Sequence, residues 1–509
     1  MNRRQFLTST TATAAAMALS ACQSGGRASR ATATSTSASA TTRPLGANGD
    51  IRVAVVGFNS HGKSHINAYK RMPGVRLVAL CDVDEKVLQT QADLLAKENV
   101  NVTTYRDIRK LLDSKEVDAI SCAMTNRWHS LAAVWACQAG KDACVEKPVS
   151  HCIWEGRQAV LASRKYGRMV QADLDYRSQP TVAQAYAFVQ SGQIGRIVYA
   201  RAWDYKRRDT MGKVAGPQRI PDNIDYDLWV GPGPMLPVMR KRFHYDWHWQ
   251  WATGNGEIAN NGSHQLDQVR WALGKSALPT TVMSFGGRFG YADDGQTPNT
   301  QVAVYDYDGI PVIYESRGLP EKTGAKNMSN LEAEAADGRP VVIPHDGGNQ
   351  GVAIFCEGGY CYDGVIYDND GKEMKRFDTT PAERARPQEN FIKGVRSRRN
   401  DDLRTDIEQG HRSATFCHMG NVSFACGEAM SFEKAQATVG ENVHAAKALE
   451  RMKAHLTANG VDLATTQLSV GPTLTMDSAA ERFTGAASAR ANLFLRDSYR
   501  APFVVPEKV

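Results

Sequence analysis

Beyond its first twenty or so residues, this chain has no run approaching the ~18 uninterrupted apolar residues of a membrane-spanning helix, so no transmembrane helix is expected. It also lacks paired C-x-x-C elements, which argues against a structural zinc site. Its ten cysteines show no pairing rhythm, and nine remain once Cys22 is set aside, an odd number that argues against a disulfide framework. There are no repeats. An excess of charge is missing too. The net charge is +7, but Arg3, Arg4, Arg27, Arg30 and Arg43 supply five of those charges within residues 1–49, which hold no Lys, Asp or Glu. A body so close to neutral is a poor nucleic-acid binder, since that affinity rests on many neutralised phosphates.

What is present begins with an address. Arg3-Arg4 precedes Phe6-Leu7 and a short apolar stretch from Thr11 to Leu19. This resembles a twin-arginine export signal. Leu19-Ser20-Ala21-Cys22 resembles a lipobox with Cys22 as the lipidated residue. Residues 1–22 are therefore expected to direct export to the periplasm, with membrane attachment only through a lipid on Cys22. Residues 23–49, almost wholly Ser, Thr, Ala, Gly and Arg, cannot bury enough apolar surface to order themselves, and read as a flexible linker. The twin-arginine route carries folded proteins, so free cysteines that fold in a reducing cytoplasm fit the same picture.

The body opens with Ile51-Arg-Val-Ala-Val-Val56, a β-branched run suited to a buried parallel strand. Gly57-Phe58-Asn59-Ser-His-Gly62 and a helical pattern follow, then a second apolar run from Arg76 to Cys81 ending at Asp82. This is the spacing of a dinucleotide site. A helix N-terminus faces the pyrophosphate, and an acid some twenty residues on accepts from the ribose hydroxyls. Asp82 would repel a 2′-phosphate, which favours NAD over NADP. Asn59 stands where the fingerprint has its middle Gly. Asn tolerates left-handed backbone angles, so the turn is expected to survive. Strand and helix patterns alternate through Ala172, which predicts a parallel sheet with ligands beyond the carboxyl ends of its strands. Thr125-Asn126-Arg-Trp-His129 and Glu146-Lys147-Pro148 sit at such ends.

Those two motifs, with Gly140-Lys141 and Gly256-Glu-Ile-Ala-Asn260-Asn-Gly-Ser-His264-Gln-Leu-Asp267, resemble the glucose–fructose oxidoreductase and inositol dehydrogenase (Gfo/Idh/MocA) family. Tyr499-Arg500-Ala-Pro-Phe resembles the tail of its bacterial subgroup. The resemblance implies an α/β protein: a Rossmann dinucleotide-binding domain, placed at residues 50–172, followed by an α+β domain at 173–509 with an open, largely antiparallel sheet and a C-terminal tail. It implies cofactor contacts from Gly57, Phe58, Asn59, Gly62, Asp82, Thr125, Asn126, His129, Glu146 and Lys147, and substrate contacts from Lys147 and His264. Lys147, held stiffly by Pro148, is suited to stabilising a developing alkoxide. The resemblance makes His264 the base and the residue four earlier its orienter. That residue is Asn260, which can hold an imidazole but brings no negative charge to it.

Trp247, Trp249 and Trp251 would point one way on an extended chain. Trp249 is a candidate sugar contact, with a packed aromatic cluster as the alternative. His244, Asp246 and His248 do not converge at extended spacing, so no metal is expected. The overall expectation is an exported oxidoreductase with tightly held NAD that acts on a CH–OH group of a sugar, cyclitol or glycoside. The alternatives are an NAD-dependent glycosidase working by transient oxidation, and a non-catalytic sugar-binding lipoprotein. A homo-oligomer is expected.

Overall fold

The computed structural model describes residues 49–319, 330–334, 340–344, 349–378 and 386–509. The expected export signal, the lipidation candidate Cys22 and all of the linker but Gly49 lie outside the described residues.

The β-branched run Ile51–Val56 forms β1, and its residues are buried apart from the partly exposed Arg52. It lies at the centre of a six-stranded sheet with β2 (Val75–Cys81), β3 (Thr103–Tyr105), β4 (Ala119–Cys122), β5 (Asp142–Glu146) and β6 (Val170–Asp173). The order is β3-β2-β1-β4-β5-β6, with every neighbour parallel. Strands buried on both faces need an apolar side chain at almost every position, which is how β1 and β2 read. Helices α1 (Gly62–Tyr69), α2 (Glu85–Lys97), α3 (Ile108–Asp113), α4 (Asn126–Gln138) and α5 (Ile153–Tyr166) connect the strands. Asp84 caps α2 by accepting from the Val87 amide, and Gly167 ends α5 in the left-handed region at φ +58°.

The second sheet is open and largely antiparallel. Its core runs Gln350–Cys356, Ile197–Asp204, Ile310–Arg317, Thr300–Tyr307 and Thr281–Gly287. The pairing of Ile197–Asp204 with Ile310–Arg317 is parallel, and the other neighbours are antiparallel. The short helices α6 (Gly256–Asn260) and α7 (Gly262–Ala272) lie against this sheet. The long α8 (Ile407–Ala425) packs on both α5 and Thr281–Gly287, tying the two sheets together.

The boundary at residue 173 is less simple than the strand–helix alternation suggests. Phe391, Ile392, Val395 and Leu403 pack into the same apolar cluster as Ile51, Val53 and Val55. The tail returns as well, with Phe503 fully buried against Trp128 and Trp135. Two segments far along the sequence thus complete the first domain. No local periodicity reports such a long-range return. All nine described cysteines are buried and none is in a disulfide, and among the described residues no helix is long and apolar enough to cross a membrane.

Candidate active site

The carboxyl ends of β1, β2, β4 and β5 open into a cavity of about 510 Å³, within the usual range for ligand pockets. The Gly57–His61 loop, Asp82, Lys147, Asp175, Asn260 and His264 line it.

The loop is built around Gly57, which sits at φ +75°. A Cβ there would meet Met124 Cγ at 2.8 Å, and one at Gly62 would run into the Gly57 carbonyl. Both positions therefore require glycine. Asn59 is not among the residues with positive φ. The expectation that it supplies a left-handed turn is corrected: Gly57 makes the turn, and Asn59 lines the cavity in ordinary backbone geometry. Asp82 holds this loop in place. Its Oδ2 accepts from the Phe58 amide at 2.9 Å, and its Oδ1 accepts from the Asp84 amide at 3.0 Å. Burial pushes the Asp82 carboxyl up, and the two amides act against that rise. The loop, the start of α1 and Asp82 fit a dinucleotide.

Thr125, Asn126 and His129 meet the cavity at the start of α4. The Asn126 amide donates to Asn255 Oδ1 at 2.9 Å. His129 serves differently from a direct polar contact. Its Nδ1 lies 2.7 Å from the Pro148 carbonyl and its Nε2 lies 3.1 Å from that of Met124. The ring therefore pins two strand-end loops together.

Glu146 is the hub of a buried network that the spacing of the chain did not reveal. Its Oε1 lies 3.0 Å from His61 Nε2 and 3.1 Å from His65 Nε2. His65 also faces Asp173 at 3.3 Å and Ser121 Oγ at 2.9 Å. Burial acts to raise the Glu146 carboxyl, but the two imidazoles outweigh it and hold Glu146 well below the usual range. The hydrogen bond to Glu146 raises His61 to about 9. Burial, with Glu146 nearby, pushes Asp173 up to about 8. His61, His65 and Glu146 present ligand atoms within 4.8 Å of one another, but their 3.0–3.1 Å separations are those of hydrogen bonds. His244, Asp246 and His248 go to separate partners: Asp84, Arg242 and the Tyr245 carbonyl.

Lys147 Nζ donates to the Asn260 carbonyl at 2.6 Å. His264 is half-buried beside it, with its ring edge-on to Tyr176 at 5.8 Å. Burial, reinforced by the Lys147 charge, pulls the imidazole down to about 3, so the ring is neutral at physiological pH. Its Nδ1 has no hydrogen-bond partner among the described residues. The expected support from the Asn260 side chain is not made. The chain breaks between α6 and α7 at Asn261, so residues 260 and 264 do not share a helix face. The Asn260 amide turns to Glu257 Oε1 at 3.5 Å. Glu257 is also held by Asn261 and, at 2.8 and 2.7 Å, by Arg208. Burial and Glu257 push Asp204 well above the carboxylate range, so Asp204 keeps its proton while Glu257 carries the charge.

Trp249 requires a second correction. Residues Asp246–Trp249 form a 3₁₀ turn, not an extended strand, so alternate side chains do not align. Trp249 is buried beneath Arg208, and Trp247 and His248 face the cavity in its place. Asp175, just past β6, also opens onto the cavity. Burial and Glu146 raise its carboxyl. Its one signal in the sequence was its place immediately after a strand end.

Two family models match the chain: the oxidoreductase family's NAD-binding Rossmann fold at residues 51–174 and its C-terminal alpha/beta domain at residues 192–322. Among curated relatives, a D-apiose dehydrogenase of Paraburkholderia graminis is 26% identical over 29% of this chain and 38% of its own length. A glycosyl hydrolase family 109 protein of Shewanella baltica is 23% identical over 58% of each. The chain thus spans less than two thirds of either relative. A WlbA dehydrogenase from Bordetella pertussis, solved with NADH and UDP-GlcNAcA, has a TM-score of 0.52 at 19% identity, covering 73% of this chain and 95% of that one. That likeness is one of fold.

Proposed function

The chain belongs to the Gfo/Idh/MocA oxidoreductase family, and from that premise we propose that it oxidises a CH–OH carbon of a sugar, cyclitol or glycoside with tightly held NAD. The observation that carries this reading is the meeting of Lys147 and His264, one from each domain, in the same cavity as the Gly57 loop and Asp82. NAD, when bound, supplies the hydride acceptor. Lys147 donates to the substrate oxygen and stabilises charge that develops there. The neutral His264 ring lines the cavity and offers an unshared pair to the substrate hydroxyl. Glu257, locked by Arg208, holds the α6–α7 corner that carries His264 and the Asn260 carbonyl met by Lys147.

A second reading is a glycosidase that oxidises, eliminates the aglycone, rehydrates and reduces. It needs a second acid–base group, and Asp175 opens onto the cavity beside Lys147 and Glu146. The similarity to a family 109 protein points the same way. A non-catalytic sugar-binding role would leave Lys147 and His264 without a task. Export by the twin-arginine route, with Cys22 lipidated, remains part of the proposal. It rests on Arg3-Arg4 and Leu19–Cys22, and it gives tight retention a purpose, since no nicotinamide pool exists outside the cytoplasm.

The test is to denature the purified protein and assay the supernatant for nicotinamide, then to incubate the native protein with sugars, cyclitols and aryl glycosides. Reduced cofactor that accumulates with a free sugar supports the dehydrogenase. Aglycone release without net reduction supports the glycosidase, and Asp175→Asn would then abolish release. Binding without either product would leave the sugar-binding role.

A further inference from the structure

Residues 205–255 leave the second sheet after Asp204 and return at α6. In between they cross to the first domain and lie against the loop that follows Asp82. The Glu85 amide donates to the Asn223 carbonyl at 2.9 Å, and the Asp225 amide donates to that of Val83 at 3.1 Å. The Asn223 side-chain amide donates to Asp84 Oδ1 at 2.6 Å, and His244 Nε2 lies 2.9 Å from Asp84 Oδ2. Asp84 in turn gives its own amide to Asp82 Oδ1. The crossing segment therefore grips the residue that orients the Asp82 carboxylate. It also faces the cavity with Trp229, His244 and Trp247.

Two further anchors hold the segment from the side away from Asp82. Trp128 Nε1 donates to the Leu228 carbonyl at 3.0 Å. Arg500, in the returning tail, donates to Asp227 Oδ1 at 2.5 Å and to the Asp227 and Gly231 carbonyls at 2.9 and 3.1 Å. Arg500 does not line the cavity.

We propose that residues 205–255 form a strap, fastened at Asp84 by His244 and Asn223 and at Asp227 by Arg500, that closes the adenosine end of the cleft and sets how slowly NAD leaves. This rests on the reading of the cleft as an NAD site. His244 is a positioning residue here, acting on the cofactor through Asp84 and Asp82. A ligand enclosed by a segment fastened at two points leaves only when the segment opens, so loosening either fastening speeds release.

The test loads the full chain with NADH and follows release into an excess of a second NAD-consuming dehydrogenase. His244→Ala and Arg500→Ala should each release cofactor roughly ten-fold faster, the effect of losing one charge-assisted hydrogen bond. His244→Gln, which keeps a donor, should restore most of the retention. Asn223→Ala serves as a milder opening of the same fastening should His244→Ala fold poorly. Thermal unfolding of each variant without cofactor separates a general loss of stability from faster release. Acceleration by His244→Ala without any by Arg500→Ala would make His244 a direct contact and overturn the strap. Wild-type release rates in every variant would overturn it as well. A wild-type protein that takes up no NAD overturns the underlying cofactor reading instead.

Discussion

Lys147 Nζ donates to the backbone carbonyl of Asn260 at 2.6 Å, so the first domain's lysine is aimed by a carbonyl of the second. The ammonium lies where the strand-end turn of β5 meets the α6–α7 corner, and its aim depends on both. Lys147→Ala should therefore lower turnover by about 10²–10⁴-fold, the usual loss for a positioned donor. Bound NAD should stay near wild type, because the Gly57 loop and Asp82 are untouched. Turnover and supernatant nicotinamide measured on one preparation check this. Near-normal turnover would remove Lys147 from the chemistry.

The His61–Glu146 pair links pH to stability. His61 is raised from 6.5 to about 9, so its contribution is complete below pH 6.5 and is lost as pH rises through about 9. Glu146 is held well below its ordinary 4.5, so its contribution is complete above pH 4.5 and is lost on further acidification. The wild-type melting temperature should therefore fall between pH 6.5 and 9, and His61→Asn should shrink that fall. Solvent at the 58% exposed His61 side chain screens the pair, so a difference of roughly 1–3 °C is expected. Parallel melting curves for the two proteins would sink the assignment.

Much of this site was legible because local pattern and local chemistry agreed. The run Ile51–Val56 and the spacing from Gly57 to Asp82 placed the cleft, and Lys147 and His264 do line it. What failed depended on geometry that spacing does not encode. Residues 260 and 264 are one helical turn apart only if the helix continues, and it breaks at Asn261. The reading of Trp249 as a sugar contact needs an extended chain, and Asp246–Trp249 is a 3₁₀ turn in which Trp249 is buried, as the packed-cluster alternative has it. The His61–Glu146–His65 network and the return of Phe391 and Phe503 to the first domain join positions far apart in the sequence. A single sequence carries no signal for such meetings.

Asp82 has two tasks, and its replacement should reveal both. Its carboxylate is suited to the ribose hydroxyls and also accepts from the Phe58 amide. Asp82→Ala should weaken NAD binding more than NADP binding, because only NAD gains from an acceptor at the 2′-hydroxyl. Losing the Phe58 acceptor should loosen the loop and weaken both cofactors to a smaller, shared extent. Titration with each dinucleotide separates the effects. Equal losses would leave Asp82 with the loop task alone.

The nine described cysteines are buried and none is in a disulfide, and burial raises the thiols of Cys81, Cys122, Cys137, Cys144, Cys152, Cys361 and Cys417, and that of Cys356 to about 12. Thiolate is the reactive form, so none should react quickly with a disulfide reagent in the folded protein. Denaturation should expose all nine. A tenth, fast-reacting thiol before denaturation would be Cys22, and its absence from membrane-extracted protein would accompany lipidation. Several fast thiols in the folded chain would contradict the packing of β2, β4 and α4.

Asn260 gives the sharpest test, because family resemblance and geometry predict opposite outcomes. If its side chain held His264, Asn260→Asp would place an anion beside the imidazole, raise its basicity and move the acidic limb of the pH–rate profile upward. In the structure that side chain faces Glu257 Oε1 at 3.5 Å, and Arg208 is already committed to Glu257. A new carboxylate there meets a buried anion. Repulsion and desolvation raise its folded pKa above the ordinary ~3.9. A raised carboxyl binds its proton more tightly in the folded state, so the destabilisation is largest above the folded pKa and vanishes below the unfolded one. Asn260→Asp should thus cost about 1–3 kcal/mol at pH 7 and progressively less as pH falls toward 4. The acidic limb should stay where it is, since His264 is pulled down to about 3 by burial and Lys147 rather than by residue 260. Asn260→Ala, which brings no charge, should show no such pH-dependent loss. Urea unfolding at several pH values and pH–rate profiles on the same three proteins decide the matter. An upward shift of the limb with unchanged stability would mean that residue 260 reaches the imidazole after all.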